Sequence, residues 1–171
     1  MKQITFLLIF LFFTNFGICQ QKEGNNKKEL TQILTDFMGY LVKKDSVKFY
    51  ALFHEDPIIW VGVIKEKSHQ EDLKKDQNEK NYFSSTYRQF YRSISNLGAN
   101  EEKFYNIDIK EDGSIASVTF DYSFCENKKK INWGQESWGL IKINGQWKIV
   151  SVIFSLEFEN INSEPKRLKQ K

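Results

Sequence analysis

Apolar and polar residues alternate through residues 104–158, FYNIDIKEDGSIASVTFDYSFCENKKKINWGQESWGLIKINGQWKIVSVIFSLEF, and this pattern predicts three hairpins run together. Asn144-Gly145 separates the β-rich runs 140–143 and 147–150, and Asp112-Gly113 separates 105–110 from 115–125. Such dipeptides suit two-residue hairpin turns, whose central residues take positive φ. The charged link from Glu126 to Lys130 predicts a longer, solvated loop. In the second strand Val118, Phe120, Tyr122 and Phe124 fall on one face, and Thr119, Asp121, Ser123 and Cys125 on the other. One face should therefore be packed and the other mixed. The last strand is apolar in both registers: Trp147, Ile149 and Ile153 in one, Val150, Val152 and Phe154 in the other. That pattern predicts a strand covered on both sides, for example by helices on one and a second subunit on the other.

Upstream the period changes. Leu30, Ile33, Leu34, Phe37, Met38 and Leu41 follow the i, i+3, i+4, i+7 spacing of an amphipathic helix. Asp45 is placed to cap a short helix over 46–53, which must stop near His54-Glu55-Asp56 because Pro57 disfavours helical geometry in the residue before it. Residues 58–63, IIWVGV, predict a short buried strand. Residues 65–80 are highly charged and predict a partly helical surface segment. A further helix carries Phe83, Thr86, Tyr87, Phe90, Tyr91, Ile94 and Leu97 as its stripe, and Gly98 is placed to end it.

The first nineteen residues predict a signal peptide. Lys2 supplies the charge, residues 4–13 are apolar apart from Thr5, and Gly17 and Cys19 are small residues at the −3 and −1 positions. The apolar run is shorter than the ~20 residues that span a bilayer. Cleavage after Cys19 is expected, with a periplasmic or secreted product. A lipoprotein anchored through Cys19 is the alternative, with Ile18 a poor fit before the cysteine. Removing Lys2 from 25 basic residues leaves 24 against 22 acidic, a net charge of +2. The basic stretches GNNKK and KRLKQK sit near the ends and predict solvated tails, so nucleic acid is not an expected partner. After cleavage Cys125 has no partner for an intramolecular disulfide and no histidine near it in sequence, so it reads as a small packed residue. The expected organisation is a leader over 1–19, a polar lead over 20–28, one domain over 29–159 and a basic tail over 160–171, with no membrane span in the mature chain.

Two segments carry a resemblance: FMGYLVKKDSVKFYALFHEDPIIWVG, residues 37–62, and WGLIKINGQWKIVSVIFS, residues 138–155. With the order helix, short helix, strand, helix and meander, the chain resembles the nuclear transport factor 2-like superfamily, in particular its SnoaL-like and ketosteroid-isomerase-like branch. The resemblance implies an α+β fold: a cone-shaped roll of a strongly bent, mostly antiparallel sheet wrapped around a long N-terminal helix. It also implies an apolar cavity and pairing as a homodimer through the outer sheet face.

The resemblance does not bring the family's catalytic groups with it. The tyrosine of the steroid isomerases' first helix is matched by Phe37, and residues 58–63 hold no carboxylate where those enzymes place an aspartate. Gly139 or a neighbour stands at their second aspartate, and Ile153 stands where many relatives have a histidine. The remaining polar candidates are Asp121, Tyr122, Gln135, Glu136, Tyr87 and His54, of which Asp121, Glu136 and His54 are the catalytic ones. Glu136 lies between Trp133 and Trp138, where an apolar setting would raise its pKa; an outward-facing strand carboxylate is the simpler reading. His54-Glu55-Asp56 reads as a helix stop, since adjacent residues rarely converge on one ion and no third ligand site is evident; no metal is expected. Trp60, Tyr87, Tyr91, Tyr122, Trp133, Trp138 and Phe154 are the ligand-binding candidates, and each is equally suited to a core. The expectation is an exported binder of a small apolar or aromatic molecule, without cofactor. The alternatives are a cofactor-independent SnoaL-like isomerase or hydratase and a non-enzymatic interaction module.

Overall fold

The computed structural model describes residues 16–55, 57–96 and 98–166, with side chains from residue 24. Its elements run α1 (Phe16–Val42), α2 (Ser46–Ala51), β1 (Ile59–Ile64), α3 (Glu66–Leu73), β2 (Tyr82–Ser84), α4 (Tyr87–Ser95), β3 (Asn100–Glu111), β4 (Ile115–Glu126), β5 (Lys129–Ile143) and β6 (Gln146–Phe158). The strands form one sheet in the order β2-β1-β6-β5-β4-β3. Strands β1 and β6 pair in parallel, and the other neighbouring strands pair antiparallel.

The sheet corrects the expected cone. It is neither strongly curled nor closed into a roll, and its edges β2 and β3 stand at opposite ends of the order. Nor is it wrapped around one helix. Helix α1 packs against β3, α2 and α4, so three helices share the covering of one sheet face.

The helix stripes meet around Phe37. Its ring centroid lies 5.0 Å from Phe49 and 4.9 Å from Trp138, joining α1, α2 and β5. Leu30, Leu34 and Leu41 are buried along the same stripe. Asp45 caps α2 by accepting from the Lys48 N–H at 3.0 Å. The GNNKK stretch is not a solvated tail: it lies in α1 with Asn26 buried, donating to Glu111 Oε2 at 2.8 Å and accepting from Lys142 Nζ at 2.8 Å. Residues 161–164 are held too. Trp133 Nε1 donates to the Asn162 carbonyl at 2.8 Å, and Ser123 Oγ donates to Glu164 at 2.7 Å. The expected leader lies mostly outside the described residues, as does all but Lys166 of KRLKQK.

Three expectations about the meander change. Residues 127 and 128 both have positive φ, so the charged link is a two-residue turn and not a longer loop. Phe83 belongs to β2, and Thr86 caps α4 from outside, so the last helix begins at Tyr87. The two apolar registers of β6 have a local cause. Gly139 faces Ser151 while Leu140 faces Ile149, leaving Val150 as an extra residue. A bulge of this kind turns the strand over by one position. Trp147 and Ile149 therefore share the core face with Val152 and Phe154, while Ile153 points outward, 47% exposed. A second subunit is not needed to explain that pattern.

Candidate functional site

The alternation of four strands brings a set of inward side chains together. On β4, Tyr122 and Phe124 face inward. Phe124 pairs with Glu102 of β3 on one side and Asn132 of β5 on the other. Four residues along β5, Glu136 pairs with Phe154 of β6, which in turn pairs with Gly62 of β1. These side chains, with Trp60, Phe83, Phe90 and Ser93, line a cavity of about 230 Å³ open at one side to solvent. A cavity of that size is below the ~300 Å³ at which drug-sized ligand sites begin, so it suits a small molecule.

Two glycines let the lining rings pack closely on the sheet. A Cβ on Gly62 would fall 2.5 Å from the Phe83 ring and 2.7 Å from Phe154, so the two rings fold over that strand because no side chain is there. A Cβ on Gly134 would fall 1.9 Å from the Ser155 carbonyl oxygen and 3.0 Å from the Tyr122 ring. Tyr122 reaches over this position and donates its hydroxyl to that carbonyl at 3.0 Å.

The chemistry of the cavity lies in two carboxyls. Glu102 and Glu136 are each 7% exposed. Burial pushes Glu136 up to about 7, and an indole N–H partly offsets this: Trp138 Nε1 donates to Glu136 Oε2 at 2.6 Å. Glu102 is held well above the ordinary carboxyl range, first by burial and then by repulsion from Glu136. It has no hydrogen-bond partner among the described residues. Tyr122 is also pushed well above its ordinary value by burial and by the two glutamates. Burial thus favours the protonated form of both carboxyls, and Glu136 is close to half-ionised near neutral pH. Such a pair can take up and release a proton at working pH, which is what general acid–base chemistry requires. The buried Glu157 is placed differently: 3% exposed on the opposite face, it accepts from the Ser68 N–H at 2.9 Å, from the Ser68 hydroxyl and from Asn162.

The residues singled out in the sequence are spread over four places. Trp60, Tyr122, Phe154 and Glu136 line the cavity. Glu136 is thus inward and buried, contrary to the simpler outward reading. Tyr87, Tyr91 and Trp138 are core residues; Tyr87 stacks on Phe53 at 4.5 Å and Tyr91 packs 5.2 Å from Phe49. Trp133, Asp121 and Gln135 are on the other face of the sheet, beside an open groove of about 620 Å³. There Lys65 sits over the Trp133 ring at 4.2 Å, and Asp121 accepts from Asn106 at 2.7 Å. His54 lies far from both, in an open groove of about 830 Å³ with Arg88 and Lys148. No group of three or more metal-ligating side chains occurs among the described residues.

The residue the sequence reading missed is Glu102. The strand was expected to start at residue 105, but β3 starts at Asn100. Extending the alternation back from Phe104 would have placed Glu102 on the inward face.

No family model and no curated protein matches the chain. Many solved structures do. A nuclear transport factor 2-like protein of Pseudomonas putida KT2440 is 12% identical with a TM-score of 0.58, over 86% of this chain and 97% of that one. One from Shewanella baltica OS155 is 17% identical with a TM-score of 0.53, over 83% and 96%. A proposed scytalone dehydratase of Novosphingobium aromaticivorans DSM 12444 is 16% identical with a TM-score of 0.57, over 80% and 87%. At such identities the likeness concerns the fold: the chain has the nuclear transport factor 2-like fold, which also occurs in dehydratase-like branches.

Proposed function

We propose that the protein binds a small molecule with an apolar body in the cavity between α4 and the sheet, and that Glu102 and Glu136 exchange a proton with it. This favours a cofactor-independent isomerase or dehydratase-type activity over simple storage. The observation that carries the reading is the pairing of two buried carboxyls at the floor of an aromatic cavity that opens to solvent. A structural role alone does not account for Glu102, because burying an unpaired carboxyl costs stability. The cavity departs from the steroid isomerases, whose catalytic positions are not matched here. The acid–base groups would come from β3 and β5.

The test combines a pocket-blocking variant with a proton-transfer variant. Ser93 lies on the cavity wall with its side chain toward solvent, and Ser93→Trp should fill the space without touching the core. Ligand-observed NMR with cyclohexanone should detect binding to the wild type and not to Ser93→Trp. Exchange of its α-protons in D₂O should exceed the buffer rate and fall about 100-fold in Glu136→Gln, within the span usual for loss of one general base. Binding that survives Ser93→Trp, or exchange that survives Glu136→Gln, would sink the reading.

A further inference from the structure

The cavity holds two carboxyls and no positive charge. Its lining contains no lysine, arginine or histidine among the described residues, and its titratable groups are Glu102, Tyr122 and Glu136. Those three come from β3, β4 and β5; the lining from β1, β2, β6 and α4 is uncharged. Tyr122 has its hydroxyl committed to the Ser155 carbonyl, and one Glu136 oxygen accepts from Trp138. Glu102 is more than nine-tenths buried, lines the cavity and has no hydrogen-bond partner among the described residues. Around this pair stand the rings of Trp60, Phe90, Phe124 and Phe154, with Trp60 and Phe90 only 4.8 Å apart.

Resting on the small-molecule reading above, we infer that the ligand carries an organic ammonium group, seated among these rings and paired with the Glu102–Glu136 carboxyls. Ring faces attract a cation and a carboxylate neutralises it, and both attractions grow when water is excluded. A neutral ligand would leave any negative charge on the pair without a counter-charge. A divalent metal ion suits the cavity poorly. Beside the two carboxyls only Asn132, Ser85 and Ser93 offer side-chain oxygens apart from the committed Tyr122 hydroxyl, whereas calcium and magnesium take about six or more oxygen ligands. The apolar rings would then hold the body of the amine, and its charge would fix the orientation.

The inference has a proton balance. In the empty cavity burial favours the protonated form of both carboxyls. When an ammonium enters, the favoured state has one carboxyl ionised beside it, and the proton of that carboxyl goes to solvent. Binding should therefore release up to about one proton per site near pH 6, by the usual linkage between charge pairing and proton affinity.

Benzylamine and benzyl alcohol are nearly isosteric probes that differ in charge. Titration calorimetry of the whole protein at pH 6 to 7, in buffers of different ionisation enthalpy, reads affinity and proton release together. Benzylamine should bind roughly tenfold or more tighter than benzyl alcohol, a difference of about 1.4 kcal/mol. The preference and the proton release should both vanish in the Glu102→Gln/Glu136→Gln variant. If benzyl alcohol binds as tightly and no proton is released, the ammonium inference fails and the pocket reading stands. If the preference persists in the double variant, the amine is binding elsewhere and the inference fails. If neither probe binds, both fail.

Discussion

Glu136→Gln should change how stability depends on pH, and the size of the change follows from the structure. The native carboxyl titrates near 7 instead of the ordinary 4.5 because it is buried, an effect the Trp138 indole N–H only partly offsets. Below about pH 4.5 both the native and the unfolded chain hold this proton, and it costs nothing. Between about 4.5 and 7 the unfolded chain has lost the proton while the native chain keeps it, so stability falls as pH rises. Above about 7 both are ionised and the loss is complete. At roughly 1.4 kcal/mol per pH unit, the gap amounts to on the order of 3 kcal/mol. Glu102 is raised by the same burial and acts in the same direction. Gln at position 136 can still accept from the Trp138 indole but does not titrate, so its contribution is the same at every pH. Urea denaturation at pH 5, 6, 7 and 8 measures the difference. With the usual urea slope of about 2 kcal/mol per molar, the wild-type midpoint should fall about 1.5 M further across that range than the variant's. Parallel pH profiles for the two proteins would show that Glu136 is not held as a neutral acid, and would remove the basis for proton exchange in the cavity.

Three other outcomes test the frame that holds the site. Gly134→Ala would place a methyl 1.9 Å from the Ser155 carbonyl oxygen and against the Tyr122 ring. It should cost about 3 kcal/mol by thermal or urea unfolding, whereas Gly24→Ala, with open space around it, should not destabilise. Ser68→Ala removes a donor to the buried Glu157 and the acceptor for the Phe158 N–H. A loss of about 1–3 kcal/mol and faster amide exchange in α3 are expected, and unchanged exchange would mean that this contact does not hold the helix. Phe37→Ala empties the meeting point of α1, α2 and β5 and should cost about 3–5 kcal/mol, with a near-neutral result showing that the core is not centred there.

The sequence by itself determined the local elements. The heptad-like stripe from Leu30 to Leu41, the Asp45 cap and the two Gly-containing hairpin turns are written in residue order, because helix period, cap chemistry and positive φ act over a few residues. The arrangement of residues far apart in the chain was decided by packing. Helix α1 lies on β3 while Phe90 of α4 reaches Trp60 of β1, and no local signal specifies that sharing of an open sheet. The bulge at Val150 inverted the register of β6, since a single extra residue exchanges inside and outside for everything beyond it. Glu136 could be suspected from its flanking tryptophans, but its inward direction depends on the pairing with Phe154. Its partner Glu102 lies 34 positions earlier in the chain and reaches the same cavity only through β4. Glu136 raises the titration of Glu102 only because folding brings the two into one cavity, and that proximity is a property of the tertiary structure alone.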